Sequence, residues 1–197
     1  VLASMKVIDV HAHIVFEETL NFLDKEGPEI GGDENNPWFR VGDYKLEGVR
    51  YRNTPFMDLG LRLEAMNNLG VDYQVLSPNP ITYFHFIDKH LAIDYCKMHN
   101  DTMAKAILGH EDSLGGFATL PMQDPHEASK ELERCTQDLG LKGAYIGTDF
   151  PSGISHQSMD ELYKTFVQLN VPLFIHPAPQ GINGPYSDDR LDDYSLD

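Results

Sequence analysis

The sequence predicts a parallel α/β fold, and three observations lead to this prediction. Short apolar segments of strand length alternate along the chain with amphipathic segments of helix length, an order typical of parallel strands joined by helices. Histidines end both the first and the last of the apolar segments, where the carboxyl ends of buried parallel strands are expected. At 197 residues the chain can bury one sizeable core, so we expect a single domain over residues 1–197.

The first predicted strand, over residues 7–14, carries the most informative pattern. It reads VIDVHAHI, with His11 and His13 toward its carboxyl end. Side chains alternate along an extended chain, so both imidazoles point to the same side and can reach one divalent cation. Strand-end histidines are also often ordinary hydrogen-bonded residues, and Asp9 either orients a metal ligand or bonds the backbone.

Residues 14–57 interrupt the alternation of strands and helices. A Gly31-Gly32 pair and a polar stretch come first, followed by two short segments that begin near Trp38 and Tyr44. This composition predicts an inserted loop with a small antiparallel hairpin. We expect the insertion to lie over the mouth of the site, with a simple surface excursion as the alternative.

The remaining elements follow in regular order. Asp58 is expected to cap a helix that Gly70 ends, with Leu61, Ala65 and Leu69 on its buried face. The other predicted elements are a strand over 73–76, a helix over 88–109, a strand over 114–120, a helix that begins at Asp124-Pro125 and ends at Gly140, a strand over 143–146, a helix that begins with a Ser158/Glu161 capping box, and a strand over 172–176.

Composition limits the classes of partner and of site. The formal net charge of −16 argues against nucleic acid or an anionic membrane surface as partner. Cys96 and Cys135 fall on the apolar sides of predicted helices, which favours buried free thiols over a disulfide or a thiolate metal site. We find no signal peptide and no apolar run long enough for a membrane span, and we expect a cytoplasmic protein.

Five motifs are separated along the chain and occur in a distinctive order. They are DVHAH at 9–13, LPMQDP at 120–125, LGLKG at 139–143, IGT at 146–148 and FIHP at 174–177. Together they resemble the metal-dependent amidohydrolase superfamily, and within it the branch similar to aminocarboxymuconate semialdehyde decarboxylase. The resemblance runs from Met5 to about Pro177, almost the whole chain.

The resemblance implies a (β/α)8 barrel of the TIM type, with its site at the carboxyl ends of the strands. It also implies that His11, His13 and His176 bind a divalent metal, with zinc expected and manganese as the alternative. A complete barrel takes roughly 250 residues, so we expect the first five or so βα units here. The remaining metal ligand and an acid–base histidine are then expected beyond Asp197. A homodimer is expected by the same analogy.

The resemblance assigns the substrate carboxylate to Arg50, because of its spacing to the next aspartate. Arg52 is a nearby competitor, and solvated hairpin arginines are the alternative for both. Trp38 and Phe84 are candidate contacts for a planar unsaturated substrate, although such residues more often pack in a core. Histidines without ligand-like placement are predicted to be surface or packing residues: His85, His90, His99, His110, His126 and His156.

The function predicted from these residues is a metal-dependent non-oxidative decarboxylation of a small unsaturated or aromatic carboxylate. The metal would polarise a substrate oxygen or acidify water, and Arg50 would hold the carboxylate by a bidentate contact. One alternative is a hydrolase or hydratase that uses the same metal centre, and another is a noncatalytic barrel fragment. A serine or cysteine hydrolase is poorly supported, since the chain has neither a nucleophile elbow nor a cysteine in a reactive setting.

Overall fold

The computed structural model describes residues 6–148 and 150–177. The strands in these ranges are of two kinds. Parallel strands build a curved central layer, and three short antiparallel strands form a separate sheet. The strands are β1 (Ile8–Ile14), β2 (Glu29–Gly31), β3 (Trp38–Val41), β4 (Tyr44–Glu47), β5 (Tyr73–Pro78), β6 (Leu114–Gly116), β7 (Ala144–Gly147) and β8 (Leu173–His176).

The parallel strands lie in the order β1-β5-β6-β7-β8. β1 pairs with β5, β5 with β6, and β7 with β8, all parallel. A single parallel bridge between Ala118 and Ala144 joins the chain after β6 to β7. The predicted strand over 114–120 is therefore shorter than expected, because its regular pairing stops at Gly116. Neighbours along the chain are neighbours in space, and the predicted α/β fold with parallel strands is confirmed.

Within residues 6–148 and 150–177, four α-helices connect or follow these strands, and the longest has 19 residues. None of the helices within the described ranges combines the length and the apolar character needed to cross a membrane. The helices are α1 (Leu59–Leu69), α2 (Lys89–Ile107), α3 (Pro125–Gln137) and α4 (Asp160–Leu169).

Helix α1 begins as predicted but buries a different face. The Asp58 carboxylate accepts a hydrogen bond from the Leu61 N–H, which caps the helix. Its buried residues are Arg62 and Met66, whereas Leu61 and Leu69 of the predicted face are 38% and 79% exposed. The prediction of the apolar face was wrong because Arg62 turns toward the sheet, where its guanidinium hydrogen-bonds to β1 and β5.

The predicted capping box before α4 does not form. The His156 ring accepts the Ser158 N–H and caps a 3₁₀ turn over Gln157–Met159, and α4 starts one residue later at Asp160 without a side-chain cap. Glu161 instead reaches across to α3, where its carboxylate lies 2.7 Å from His126 Nδ1. The extra turn shifts the helix start, so Ser158 never occupies the capping position.

The insertion contains the predicted hairpin and one further strand. β3 and β4 pair antiparallel, and β2 adds to the outer edge of β3. The buried face of this small sheet contributes Phe39 and Val41 to a cluster that includes Tyr51, Phe84 and Tyr95. The insertion is thus anchored by its own apolar cluster against α2 and the loop after β5.

Both cysteines and one histidine lie in the interior beside α2. Cys96 and Cys135 are buried and free, as predicted, and burial raises the pKa of both thiols. His99 lies between the rings of Phe16 and Tyr95, with ring centroids 5.3 Å and 6.0 Å away. Its Nδ1 has no hydrogen-bond partner among the described residues, and burial lowers its pKa to about 4. It is a packing residue, one of the two expected roles.

We expect His99 to make the fold sensitive to acid. Its pKa is about 4 when folded and near 6.5 when unfolded. The unfolded state therefore binds a proton first as the pH falls, and stability is lost between about pH 6.5 and pH 4. The full shift corresponds to about 3 kcal/mol. In metal-free protein, urea unfolding at several pH values should show a smaller loss for His99→Leu than for the wild type. The exposed neighbour variant His90→Leu should keep the wild-type slope, and an equal slope in all three proteins would contradict this account.

Candidate metal centre

The structure brings the three predicted metal ligands together. His11 and His13 come from β1 and His176 from the end of β8. One ligand atom from each of these residues lies within 4.8 Å of the other two. The Nε2 atoms of His11 and His13 are only 2.9 Å apart, and both rings have centroids 5.2 Å from that of His176. β1 and β8, the first and last strands of the parallel order, therefore meet through their histidines.

A β-bulge in β1 helps to aim these histidines. Asp9 pairs with Gln74 and Ala12 with Leu76, so three steps along β1 match two along β5. A bulge of this kind re-aims the side chains beside it, and bulges are enriched next to functional sites. His11 lies within the irregular stretch. The plain alternation used in the sequence prediction holds for His11 and His13, but the register shift changes the position of Asp9 relative to both.

Three polar side chains hold the bulge, and we call Asp9, Gln74 and Arg62 the clamp. Asp9 accepts hydrogen bonds from the His11 N–H (2.9 Å) and from Gln74 Nε2 (2.8 Å). Gln74 Oε1 accepts from Arg62 Nη1 at 2.9 Å, and Arg62 Nη2 donates to the His13 carbonyl. The clamp therefore bonds the backbone of both histidines. Of the two roles expected for Asp9, the backbone hydrogen bond is the one that the structure shows.

Burial changes the pKa of the clamp arginine without removing its charge. Arg62 is 6% exposed, and burial lowers its pKa to about 10, while the nearby Asp9 carboxylate acts in the opposite direction. It remains a cation at neutral pH. The charge next to β1 is thus paired with Asp9 through Gln74, and its main effect on the histidines is geometric.

The tautomer of His13 follows from its surroundings. Its Nδ1 lies 3.1 Å from the Pro78 carbonyl oxygen and 3.2 Å from Ser77 Oγ. A carbonyl only accepts, so Nδ1 carries the hydrogen and Nε2 keeps its lone pair for a cation. Burial lowers the pKa of His13 to about 4 and also lowers that of His176. These two imidazoles are neutral near pH 7, the form that binds metal.

Sequence reasoning missed Tyr145, which lies beside the three histidines. Its hydroxyl is 3.1 Å from His11 Nε2, and its ring lies 5.7 Å and 5.5 Å from the His13 and His176 rings. The residue is fully buried, and burial raises the pKa of its phenol. One signal was available, because Tyr145 is a hydroxyl-bearing residue inside an otherwise apolar predicted strand whose carboxyl end faces the site.

The donor set fits a divalent cation. Three imidazoles converge, and Nε2 of His13 presents a lone pair toward Nε2 of His11. Imidazole nitrogens are ligands that zinc and other first-row divalent ions accept. The backbone bonds of the clamp and the Pro78 contact supply the outer hydrogen bonds that such sites use to orient their ligands.

Arg50 shares a cavity with two of the histidines. The cavity has a volume of about 580 Å³. It is lined by Asp9, His11, Ala12, His13, Arg50, Thr54, Pro55, Phe56, Arg62 and Gln74. The Arg50 side chain is 46% exposed, and its only ion-pair partner among the described residues is Glu34 at 3.7 Å. Its competitor Arg52 is held by Glu17 through contacts of 2.6 Å and 2.8 Å. The geometry therefore favours Arg50 as the arginine available to an anion.

The other two predicted substrate contacts lie elsewhere. Phe84 is fully buried, and its ring packs against those of Phe86 and Tyr95. The Trp38 ring lies against Gly31 and beneath the Lys45 ammonium group. Neither is among the described residues that line the histidine cavity. The part of the insertion that reaches this cavity is the stretch 50–56 after the hairpin, and the hairpin strands themselves do not line it.

Comparison with known proteins agrees with this geometry. A family model described as Amidohydrolase matches residues 8–193. The 2-amino-3-carboxymuconate-6-semialdehyde decarboxylase of Dictyostelium discoideum is 27% identical over 180 residues, which cover 86% of this chain and 48% of that protein. The γ-resorcylate decarboxylase of Polaromonas sp. is 30% identical over 182 residues, which cover 86% of this chain and 49% of that protein. The chain thus spans about half the length of these curated relatives.

Solved structures show the same relationship. A dihydroxybenzoic acid decarboxylase from Polaromonas sp., solved with manganese and the inhibitor 2-nitroresorcinol, superposes with a TM-score of 0.68 at 26% identity. The match covers 96% of this chain and 54% of that one. A putative amidohydrolase from Staphylococcus aureus superposes with a TM-score of 0.66 at 26% identity, covering 98% and 56% of the two chains. The manganese of the first structure agrees with a divalent metal, and both matches agree with the predicted barrel class.

We expect the clamp to control metal affinity. Gln74→Leu removes the hydrogen bonds to Asp9 and Arg62 and frees the bulge that carries His11. Loss of such outer hydrogen bonds weakens metal binding by roughly tenfold or more. Calorimetric titration of metal-free protein with Mn²⁺ measures this change. The matched control is Gln123→Leu. Gln123 also makes two side-chain hydrogen bonds, but it donates them to the Phe84 and Ile87 carbonyls, away from the clamp. Equal Mn²⁺ affinity in the two variants would refute the role of the clamp.

Proposed function

The chain belongs to the amidohydrolase family, and we propose that it carries the metal-binding part of a non-oxidative decarboxylase. The proposed substrates are small unsaturated or aromatic carboxylates. One observation carries the proposal: two of the three converging imidazoles, those of His11 and His13, border a cavity that is also lined by an available guanidinium, that of Arg50. A cation site and an anion site are thereby placed side by side, which suits a substrate with a carboxylate and a second oxygen.

The relatives support this reaction class. The curated proteins from Dictyostelium discoideum and Polaromonas sp. are decarboxylases, each matched over 86% of this chain. The Polaromonas structure holds manganese. We propose manganese or zinc as the resident ion, since three histidines suit either.

The chain's own residues have distinct parts in the proposed reaction. When bound, the divalent ion would act as a Lewis acid that polarises a substrate oxygen. Arg50 would hold the carboxylate through paired N–H···O bonds, which fix its plane relative to the rest of the substrate. The clamp and the Pro78 carbonyl keep His11 and His13 in place throughout. Orientation of this kind lowers the barrier because the reacting groups are already positioned.

A hydratase is the second candidate. The 2-keto-4-carboxy-3-hexenedioate hydratase of Sphingobium sp. is 26% identical over 185 residues, which cover 87% of this chain and 52% of that protein. The same three histidines and Arg50 would serve addition of water to an alkene of a carboxylate substrate. Release of carbon dioxide separates the two candidates.

A homodimer and a cytoplasmic location, both expected from the sequence, stay predictions. Of the predicted partners, a small-molecule carboxylate is the one that the cavity supports, because Arg50 offers it a cationic contact. Analytical ultracentrifugation of the gene product measures the oligomeric state directly.

We expect the full gene product, loaded with Mn²⁺, to release carbon dioxide from 2,6-dihydroxybenzoate or a related aromatic carboxylate. His176→Ala removes one of the three imidazoles, so both the metal content and the release of carbon dioxide should fall to background. Inductively coupled plasma mass spectrometry and a coupled carbon dioxide assay measure the two quantities. His126→Ala is the control, because His126 is exposed and pairs with Glu161 away from the site. Metal retained in His176→Ala would contradict the assignment, and water addition without carbon dioxide would favour the hydratase.

Arg50→Ala should lower kcat/KM by about a hundredfold, the order expected for loss of a charge-assisted bidentate contact. The metal content should stay that of the wild type, since Arg50 makes no contact with the three histidines that would hold the ion in place. Steady-state kinetics and metal analysis on the same preparations give the comparison. Arg52→Ala removes a neighbouring charge of the same kind and should retain most of the turnover. If the two variants lose activity equally, Arg50 is not the carboxylate ligand.

A further inference from the structure

The Tyr145 phenol has no part in the function proposed above, although it touches the metal centre directly. Its oxygen lies 3.1 Å from His11 Nε2, the nitrogen that also faces His13 Nε2 at 2.9 Å. Because Tyr145 lies on β7, its hydroxyl reaches the site from between the two strands that carry the histidines. Among the described residues, Tyr145 carries a hydroxyl group that contacts Nε2 of His11, the nitrogen through which this predicted ligand would bind the cation.

The contact between Tyr145 and His11 is incompatible with a cation on the same nitrogen. An imidazole nitrogen has either one hydrogen or one lone pair in the ring plane. If His11 Nε2 carries the lone pair, it accepts the phenol hydrogen, and a bound cation would take that lone pair away. If it carries the hydrogen, cation binding removes that hydrogen. In both tautomers the hydroxyl of Tyr145 loses its contact with His11 when the site is filled.

The ring of Tyr145 is held in place by its aromatic neighbours. Its ring stacks on Phe174 with a centroid distance of 4.7 Å and an interplanar angle of 16°. Phe117 stacks from further away at 6.3 Å, and the side chain is fully buried. Ser77 also offers the phenol a side-chain hydrogen bond from within the site. The hydroxyl therefore stays beside the three histidines, where an oxygen of a bound ligand can replace His11 as its acceptor.

We propose that Tyr145 donates its hydroxyl hydrogen to an oxygen atom of the ligand that enters the three-histidine site. The inference rests on the proposed function, because that function supplies a ligand with an anionic oxygen. Tyr145 then acts as a catalytic residue that contacts the substrate. Arg50 and Tyr145 thereby hold different oxygens of one molecule, the first as a charged contact and the second as a neutral donor.

This placement has a chemical consequence for decarboxylation. When the bond to the leaving carboxylate breaks, its electron pair passes into the substrate, and negative charge builds on a conjugated oxygen. A fixed donor aimed at that oxygen stabilises the charge without having to reorganise. A phenol suits this part because it remains a neutral donor, so it does not compete with the histidines for the cation.

The experiment compares Tyr145→Phe with wild type in the full gene product, using acetohydroxamate as a probe. This small oxygen-donor anion binds open divalent metal sites and does not depend on the identity of the substrate. We expect the Mn²⁺ dissociation constant of Tyr145→Phe to stay within about threefold of wild type. The hydroxyl that is removed does not hold the cation and only competes with it for His11 Nε2. The acetohydroxamate dissociation constant of the Mn²⁺-loaded variant should rise about tenfold, as loss of one hydrogen bond to a charged oxygen predicts. Calorimetric titration measures both constants.

Tyr95→Phe is the matched control, because Tyr95 is an equally buried tyrosine in the cluster of Phe39 and Phe84. It should leave both constants at their wild-type values. An unchanged acetohydroxamate constant in Tyr145→Phe would overturn the proposal. A parallel loss of Mn²⁺ affinity would overturn it as well, by showing that Tyr145 only positions His11. Failure of the proposed function is a separate result, seen as a wild-type protein that binds Mn²⁺ and acetohydroxamate but releases no carbon dioxide.

Discussion

The site depends on one constraint, which is that three imidazoles must be held close together before any cation arrives. Nε2 of His13 faces Nε2 of His11 at 2.9 Å, and a cation bound to both nitrogens would replace any hydrogen bond between them. The scaffold has to supply the positioning. It does so with the clamp, which bonds the backbone at His11 and at His13, and with the Pro78 carbonyl. The bonds to the Pro78 and His13 carbonyls are partly buried, where hydrogen bonds are strong and costly to break.

The same constraint explains why the buried face of α1 is unusual. A buried arginine is expensive unless it is paired, and Arg62 is accommodated because Gln74, the His13 carbonyl and the Asp9 charge lie beside it. The face of α1 that packs on the sheet is therefore partly polar. An apolar-face rule cannot recognise such a helix, which is why Leu61 and Leu69 were placed inside and Arg62 was not. The error in the fold prediction and the support of the metal site share one physical cause.

Most of the fold and the three histidines were predictable because they follow from local rules. Strand and helix order, the Asp58 cap and the hairpin over β3 and β4 depend on residues close together in the chain. His11 and His13 follow from alternation, and His176 from its place at a strand end. The bulge and Tyr145 depend instead on register and on contacts between distant segments, with 134 residues separating Tyr145 from His11. Such contacts leave no periodic trace in a single sequence.

Phe84 and Trp38 failed to reach the cavity for a related reason, since the insertion uses its aromatic residues to anchor itself.

The arrangement of charges around the cavity also has a functional meaning. The chain is strongly acidic, with a formal net charge of −16. Two arginines nevertheless line the cavity and place positive charge there. Arg62 is committed to the clamp, and burial keeps it from solvent, so Arg50 is the cation that an incoming anion meets. An acidic surface disfavours large polyanions over long distances, whereas a single guanidinium acts at contact range. The proposed recognition of a small carboxylate is therefore confined to the cavity, where Arg50, His11 and His13 act over a few ångströms.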